Sequence, residues 1–256
     1  MCDRVLVCLV IPHFDHLEQF RNFLPELLGS SLPLVVVDDA SPQQSFDALA
    51  RLLEEQAPGS SLCRHTRNLG KGGAVMTGLK MAQEAGFTHA IQIDADGQHD
   101  LTGIVQLVEE ATRYPHAIIC GQPVFNETVS RLRFYSRYIT LYLVWLETLS
   151  TEVRDAMCGF RLYPLQPTMT LVSAGIGGNR MAFDPEILVR AAWTGIPLRY
   201  VPVKVEYPKD GKSHFRYLRD NLEISWMHTR LIFGMLMRLP LLIRRNRSRR
   251  GVRPGQ

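Results

Sequence analysis

Cysteine is scarce in this 256-residue chain, and its spacing fits neither a disulfide framework nor a zinc site. The five cysteines are odd in number, scattered and without a Cys-x-x-Cys pair; they are Cys2, Cys8, Cys63, Cys120 and Cys158. We therefore expect a protein of a reducing, cytoplasmic compartment.

Long apolar runs are also missing, since none reaches the roughly 20 residues that a membrane-spanning helix needs. The nearest candidate, 231–243, is shorter and contains Arg238 and Pro240. The N-terminal run stops at Pro12 without a small-residue cleavage site, which indicates a buried strand. The sequence therefore predicts neither a transmembrane segment nor a signal peptide.

Excess charge is confined to one end of the chain. The formal net charge is +4, but residues 244–253 (RRNRSRRGVR) supply six arginines, so the other residues carry a net charge of −2. We expect 244–256 to be a basic, disordered tail on a near-neutral body, and we expect no nucleic-acid partner.

Short apolar runs alternate with segments of helical spacing through residue 120. Strands are predicted over 4–11, 32–39, 89–94 and 116–120, and helices over 16–28, 43–56, 72–85 and 101–113. A helix over 131–150 and a strand over 198–208 follow without a Pro-rich or Gly/Ser-rich linker. This order predicts an α/β domain over 1–217, with an open, mostly parallel sheet, right-handed crossovers and flanking helices.

Polar side chains collect where three predicted strands end: residues 12–15, Asp38-Asp39 and Asp94-Ala95-Asp96. In open parallel sheets the ligand crevice lies beyond these ends. Asp94 and Asp96 face the same way on an extended strand end, so they can converge on one hard divalent cation, with Gln98 as a neutral oxygen ligand. The pattern predicts Mg²⁺ or Mn²⁺, although two solvated turn carboxylates would have the same sequence.

Two further motifs have alternative interpretations. Asp38-Asp39 is typical of a helix cap or turn, and also of a hydrogen bond to a nucleobase or ribose hydroxyl. The Gly-rich segment 67–79 (RNLGKGGAVMTGL) precedes a helix but matches neither GxxxxGK[ST] nor GxGxxG. Lys71 is therefore either a residue of a flexible loop or a ligand of an anionic substrate.

Five segments taken in order resemble the family 2 glycosyltransferases: LVIPHFDH, VVVDDASP, NLGKGGAVMTGLKMA, IQIDADGQHD and DAMCGFRLY. The nearest branch is that of the polyprenyl-phosphate glycosyltransferases, typified by dolichol-phosphate mannose synthases, and the resemblance covers residues 5–215. It implies a Rossmann-like GT-A (nucleotide-diphospho-sugar transferase) fold followed by C-terminal amphipathic helices. It also implies a nucleotide-sugar donor, a divalent cation and inversion at the anomeric carbon.

The resemblance assigns roles to residues of this chain. Asp94 would contact the nucleotide or sugar at the reaction centre, and Asp96 and Gln98 would hold the metal, a Lewis acid for the leaving diphosphate. The residues expected to bind the donor are Pro12, Phe14, Val37, Asp39, Lys71, Asp94 and Ala95.

One segment departs from the family pattern at the donor phosphates. The family's Arg-x-x-Gly-x-Ser-Lys is PKDGKSH (208–214) here, so Pro208 replaces the arginine and His214 replaces the lysine. Basic residues that could compensate are Arg131, Arg133, Lys209 and Lys212.

The segment DAMCGFRLYP resembles the part of the family near the acceptor, with Cys158 in a hydroxyl position. Asp155 is the candidate general base for a hydroxyl acceptor, whereas a phosphate acceptor is already ionised and needs none. Alternatively, Asp155 caps a turn and pairs with Arg161.

The apolar stretch 218–243 precedes the arginine cluster and predicts a membrane-associating amphipathic helix. Trp226, Leu231, Phe233 and Leu236 are expected to face acyl chains while the arginines reach anionic headgroups. The alternatives are a packed terminal helix with a disordered tail and, less favoured, a nucleic-acid-binding arm.

The combined prediction is a metal-dependent, inverting glycosyltransferase on the inner face of the cytoplasmic membrane, acting on a lipid-linked or envelope-glycolipid acceptor. Two other functions stay open: a non-catalytic nucleotide-sugar-binding protein, and a Mg²⁺-dependent phosphotransfer protein.

Overall fold

A computed structural model gives the structure of the chain and describes residues 4–95, 97, 100–124, 131–204 and 217–251. Its strands are β1 Val7–His13, β2 Leu34–Asp38, β3 Ser61–Arg64, β4 His89–Gln92, β5 Ile118–Val124, β6 Arg161–Pro164 and β7 Leu198–Lys204. Its helices are α1 Leu17–Gly29, α2 Gln43–Gln56, α3 Lys71–Glu84, α4 Gly103–Arg113, α5 Arg131–Thr148, α6 Leu165–Ser173, α7 Phe183–Thr194, α8 Tyr217–Met237 and α9 Leu239–Gly251.

The strands form one sheet in the order β3-β2-β1-β4-β6-β5-β7. β1 runs parallel to β2 and β4, β2 to β3, and β5 to β7. Among the described strands, only β6 is antiparallel, and it lies between β4 and β5. The prediction of an α/β fold with a mostly parallel sheet is therefore confirmed, and β1, β2 and β4 end at the same edge.

Helices cover both faces of the sheet, which explains why β1 is apolar at successive positions. Cys8 and Val10 pack into the core that also includes residues of α3, α5, α7 and α8. Leu9 and Ile11 pack on the other face with α1, α2 and α4. Successive side chains of β1 thus point alternately into two apolar cores.

Four elements lack a counterpart in the sequence prediction: β3, β6, α6 and α7. β3 is four residues long and half-buried, so it has little hydrophobic pattern. α7 is buried nearly all round, with the exceptions of Arg190 and Thr194, and therefore has no apolar stripe of helical period. β6 falls inside the segment assigned to the acceptor side.

The C-terminal helices differ in part from the prediction. α8 packs on α5 and α7 and contributes Met227, Leu231 and Met235 to the core. α9 continues through Gly251, where the sequence predicted a disordered tail, and residues 252–256 lie outside the described part. No helix among the described residues is long and apolar enough to cross a membrane.

Candidate active site

The ends of β1 and β2 are joined by a buried acid–histidine pair. Parallel pairing places His13 opposite Asp38, and His13 Nδ1 lies 3.1 Å from Asp38 Oδ1. The backbone N–H and the hydroxyl of Ser41 also donate to the Asp38 carboxylate. Burial alone would raise the pKa of Asp38, but these hydrogen bonds outweigh it and hold the pKa below its ordinary value. Asp38 therefore fixes the turn after β2 as an ionised group.

Asp39 holds the loop that leads into α3. Its Oδ1 accepts the backbone N–H of Leu69 at 2.8 Å and lies 2.8 Å from His65 Nδ1, and its Oδ2 accepts the N–H of Gly70 at 2.6 Å. Asn68 Nδ2 donates to the Asp39 carbonyl. Because Asp39 is buried and engaged with these groups, its predicted contact with a nucleoside stays a prediction.

The strongest concentration of charge lies at the end of β4. Lys71 Nζ, from the first residue of α3, lies 2.8 Å from Asp94 Oδ2 and 3.1 Å from Asp184 Oδ2, at the start of α7. Burial alone would lower the pKa of Lys71, but Asp184 and Asp94 outweigh it, so the pKa lies above its ordinary value. Lys71 is thus a fixed ammonium group between two carboxylates.

A buried polar network supports this cluster from below. Gln92 Nε2 donates to Asp184 Oδ1 at 3.1 Å, and the Tyr163 hydroxyl donates to Gln92 Oε1 at 3.1 Å. Arg161 Nη1 donates to the Asp184 carbonyl at 2.6 Å, with its side chain fully buried. These bonds lock α7 against β4 and β6 and set the position of Asp184.

Gly159 leaves the space that Lys71 occupies. A Cβ at residue 159 would lie 2.6 Å from Lys71 Nζ and 2.9 Å from Gln92 Nε2. Any side chain there would displace the ammonium group from Asp94. The Cys-Gly-Phe-Arg segment therefore contributes both Gly159 and Arg161 to the same site.

Asp155 is held as a turn cap. Its Oδ1 accepts the backbone N–H groups of Met157 at 3.0 Å and Cys158 at 2.7 Å, and its Oδ2 accepts Arg137 Nε. The partner is thus Arg137, whereas Arg161 pairs with Asp184. Because the Asp155 carboxylate already accepts hydrogen bonds from these three donors, its role as a general base stays a prediction.

The other residues predicted to bind the nucleotide-sugar donor lie at the strand ends or outside the described part. Pro12 and Phe14 are half-buried, Val37 is fully buried, and Ala95 is buried directly after Asp94. The predicted residues outside the described part are Asp96, Gln98, Lys209 and Lys212, together with the side chains of Arg131 and Arg133. Within the described ranges, no group of three or more His, Cys, Asp or Glu residues could hold a metal ion.

Asp184 is the site residue that the sequence prediction missed. It lies in Ala182-Phe-Asp-Pro-Glu186, the start of a helix without amphipathic period, so no strand end or turn pattern marked it. An acid followed directly by proline at a helix start was the available signal.

The glycosyl transferase family 2 model matches residues 8–176, from the second residue of β1 to a point beyond β6, and the match includes the Lys71–Asp94 pair. This chain belongs to glycosyl transferase family 2. The predicted resemblance to family 2 and the prediction of a glycosyltransferase enzyme are therefore confirmed.

Two curated relatives match most of this family 2 chain. The UDP-N-acetylglucosamine–dolichyl-phosphate N-acetylglucosaminyltransferase of Methanococcus voltae is 24% identical over 222 residues, covering 81% of this chain and 88% of that protein. The undecaprenyl-phosphate mannosyltransferase of Micrococcus luteus is 28% identical over 219 residues, covering 81% of this chain and 86% of that protein. Both names agree with the predicted branch of the family.

A solved structure shares the fold. A mannosyltransferase from Pyrobaculum calidifontis, in complex with GDP-mannose and Mn²⁺, superposes with a TM-score of 0.57 and 18% identity. The match covers 92% of this chain and 65% of that chain. The predicted GT-A fold is therefore confirmed.

Proposed function

We propose that this family 2 protein transfers a hexosyl group from a nucleoside-diphosphate sugar to the phosphate of a polyprenyl-phosphate lipid. The observation that carries the proposal is the Asp94–Lys71–Asp184 cluster at the carboxyl edge of a GT-A sheet. The two curated relatives, which are named for dolichyl phosphate and undecaprenyl phosphate, support the choice of acceptor.

The proposed reaction is a direct displacement with inversion. An oxygen of the acceptor phosphate attacks the anomeric carbon, the new C–O bond forms, and the bond to the nucleoside diphosphate breaks. The attacking phosphate is already ionised, so no proton has to be removed. This agrees with an Asp155 carboxylate that is engaged by Arg137 and two backbone N–H groups. Lys71 supplies a fixed positive charge where the diphosphate becomes more negative.

A divalent cation, Mg²⁺ or Mn²⁺, is part of the proposal. Asp94 offers a partly exposed carboxylate at the end of β4, which suits a hard cation, and the oxygen donors Asp96 and Gln98 follow within four residues. When bound, the cation would act as a Lewis acid on the donor diphosphate. The Mn²⁺ in the Pyrobaculum enzyme supports this choice.

We also propose that α8 and α9 dock the protein on the inner face of the cytoplasmic membrane. Trp226 and Phe233 are each 64% exposed and Leu236 is 52% exposed, so large apolar side chains project from α8. The prediction for Leu231 is wrong, because this side chain is 2% exposed and packs in the core. The exposed Arg244 and Arg247 of α9 would meet anionic headgroups at about 1 kcal/mol each.

A donor screen tests the proposed function. The melting temperature of the purified chain is measured with UDP-, GDP-, dTDP- and CMP-sugars, with and without Mn²⁺. Release of the leaving nucleotide, a nucleoside diphosphate or CMP in the case of a CMP-sugar, is then measured with polyprenyl phosphate present. We expect one donor to raise the melting temperature in a Mn²⁺-dependent way, because ligands that bind the folded state stabilise it. Release of its nucleoside diphosphate excludes a non-catalytic binding protein. Transfer of the sugar to the lipid phosphate likewise excludes a phosphotransfer protein.

A further inference from the structure

A pocket of about 390 Å³ opens beside the loop that Asp39 holds. One wall is that loop, a second is the segment before α7, and the third is the N-terminal half of α8. Its lining includes four arginines, one glutamate and one tryptophan: Arg67, Arg180, Arg219, Arg230, Glu223 and Trp226. We call it the arginine pocket.

The arginine pocket has more positive than negative charge. Glu223 Oε1 lies 3.7 Å from Arg180 Nε and 3.1 Å from Arg219 Nε. Beneath the pocket, the buried Glu186 carboxylate lies 3.1 Å from Arg230 Nη2. Two carboxylates thus face four guanidinium groups, which leaves a site suited to a doubly charged anion. Guanidinium groups bind phosphate oxygens through paired hydrogen bonds.

The segment before α7 is built to keep Arg230 in place. A Cβ at Gly177 would collide with the Arg230 guanidinium, so this group lies directly against the backbone of the loop. The backbone N–H groups of Gly177 and Gly178 donate to Glu186, the same carboxylate that pairs with Arg230. The position of the guanidinium is therefore determined by the fold.

An apolar surface leads away from the pocket along α8. Trp226 lines the pocket, and Leu222 and Leu218 follow at intervals of four residues toward the start of the helix. Side chains spaced by four lie on one face of a helix. Leu222 is 71% exposed and Leu218 is 80% exposed. A ligand with an anionic end and an apolar chain therefore matches both parts of this surface.

The arginine pocket also adjoins the reaction centre. Asn68 and Leu69 line it, and both are bonded to Asp39. The N–H of Gly73, in the first turn of α3, donates to the Asn179 carbonyl in another wall of the pocket at 2.7 Å. Lys71 lies in that same first turn and reaches Asp94. A phosphate in the pocket would thus border the site of the donor diphosphate.

We propose that the arginine pocket binds the phosphate group of the polyprenyl-phosphate acceptor, with the first isoprenyl units lying on Trp226 and Leu222. This inference rests on the proposed acceptor class. It adds the residues of this chain that would recognise the acceptor. These residues come from α8, from the loop before α3 and from the segment before α7.

The test measures binding of a short, water-soluble acceptor analogue, farnesyl phosphate, to the full chain without detergent. Titration calorimetry compares the wild type with an Arg67→Gln/Arg219→Gln double variant, which alters two exposed side chains and spares the buried Glu186 network. Arg51→Gln is the matched control, since Arg51 is an exposed arginine on α2, on the other face of the sheet. We expect the double variant to bind at least tenfold more weakly and the control to match the wild type.

Two other ligands separate the contribution of the phosphate group from that of the isoprenyl chain. Inorganic phosphate and farnesol should each bind at least tenfold more weakly than farnesyl phosphate, because each matches one part of the surface. The double variant should bind the donor nucleotide with unchanged affinity. Equal affinity of the wild type and the double variant for farnesyl phosphate would overturn the inference, as would an equal loss of donor nucleotide binding.

The same reagents separate the failure of this inference from the failure of the proposed function. If the wild type binds farnesyl phosphate through these arginines but transfers no sugar to it, the pocket assignment holds and the proposed function fails. If the wild type transfers sugar and the double variant does so with an unchanged KM for the acceptor, the function holds and the pocket assignment fails.

Discussion

Lys71 Nζ lies 2.8 Å from Asp94 Oδ2, so the first residue of α3 neutralises the acid at the end of β4. Asp184 holds the same ammonium group from the opposite side, at 3.1 Å. With Arg161 Nη1 3.8 Å from Asp184 Oδ1, two carboxylates and two cations lie where a sugar and a diphosphate are expected to meet, and Lys71 is fixed before any donor arrives.

Replacing Lys71 with methionine should remove most of the activity. The variant removes the ammonium group between Asp94 and Asp184, although Arg161 still lies 3.8 Å from Asp184, and the diphosphate loses a positive charge in the transition state. We expect kcat/KM for transfer to fall by about a hundredfold, equivalent to roughly 2.7 kcal/mol. Steady-state rates provide the measurement, and Lys80→Met on the exposed face of the same helix is the control. Rates within threefold of the wild type would contradict this role.

Replacing Asp39 with alanine should raise the donor KM more than it lowers kcat. The change leaves the N–H groups of Leu69 and Gly70 without their acceptor and loosens the loop before α3. Asp39 is proposed to contact the nucleoside and not the bond that breaks, so ground-state donor binding is expected to suffer most. Initial rates over a range of donor concentrations give the two constants, with the exposed Glu54→Ala as the control. A loss confined to kcat would refute this assignment.

Replacing Asp96 with asparagine should abolish transfer and the Mn²⁺-dependent part of nucleotide binding. A neutral amide is a poor substitute for a carboxylate on a hard cation. Melting temperatures measured with nucleotide, in the presence and absence of Mn²⁺, report metal-dependent nucleotide binding independently of transfer activity. Asp100→Asn makes the same chemical change nearby, where the carboxylate caps the turn at Thr102. If Asp96→Asn keeps its Mn²⁺ dependence, the metal assignment is wrong.

Acid should destabilise the fold through His89. Burial lowers the pKa of this imidazole below its ordinary value, and its Nε2 lies 2.9 Å from the Pro115 carbonyl. Above pH 6.5 both folded and unfolded states are neutral at this group; as the pH falls, the unfolded chain takes up the proton first, so stability decreases. The slope for one proton is at most about 1.4 kcal/mol per pH unit.

Urea unfolding between pH 7.5 and 5.5 measures this effect. The His89→Gln variant should be less stable at pH 7.5 and should lose less stability than the wild type over the same interval. Parallel slopes for the two proteins would show that His89 does not carry the acid sensitivity.

Membrane docking should depend on the exposed face of α8 and on the arginines that follow it. Removal of residues 244–256, or separately the Phe233→Ser/Leu236→Ser change, should lower binding to anionic liposomes at low salt. Phe233 and Leu236 are exposed, so the double change should leave the fold intact. The truncation also removes Arg245 and Asn246, which donate to carbonyl groups of Ala192, Thr148 and Leu149, so its melting curve is measured alongside. Val105→Ser on α4, at a 61% exposed apolar site, is the control. Unchanged sedimentation with liposomes for both variants would disprove the docking proposal.

The sequence predicted the parts of the fold that follow from local pattern. β1 and β2 are apolar at successive positions because both faces of the sheet are covered, and that pattern is readable without a structure. The acids at strand ends were also readable, because parallel strands place their carboxyl ends at one edge. Lys71 was identified from its Gly-rich setting, although not its carboxylate partners.

The remainder of the site depends on contacts between distant segments. Asp184 meets Asp94 through Lys71 across about ninety residues of chain, and the all-round burial of α7 removes the periodicity that would have located the helix. Arg161 was paired with Asp155 in the alternative interpretation, whereas the structure pairs it with Asp184. Local spacing cannot decide which acid pairs with Arg161, because Asp184 comes from a separate helix, α7, while the nearby Asp155 pairs with Arg137.

The most direct test of the central proposal is the product itself. The purified chain is incubated with the donor selected by the screen, labelled in the sugar, together with Mn²⁺ and a polyprenyl phosphate, and the label in the lipid fraction is then followed by chromatography and mass spectrometry. The account predicts a glycosyl-phosphoryl-polyprenol of inverted anomeric configuration, formed by the wild type and at about one hundredth of that rate by Lys71→Met. Label that stays with the nucleotide for every donor tested, while the protein remains folded, would contradict it.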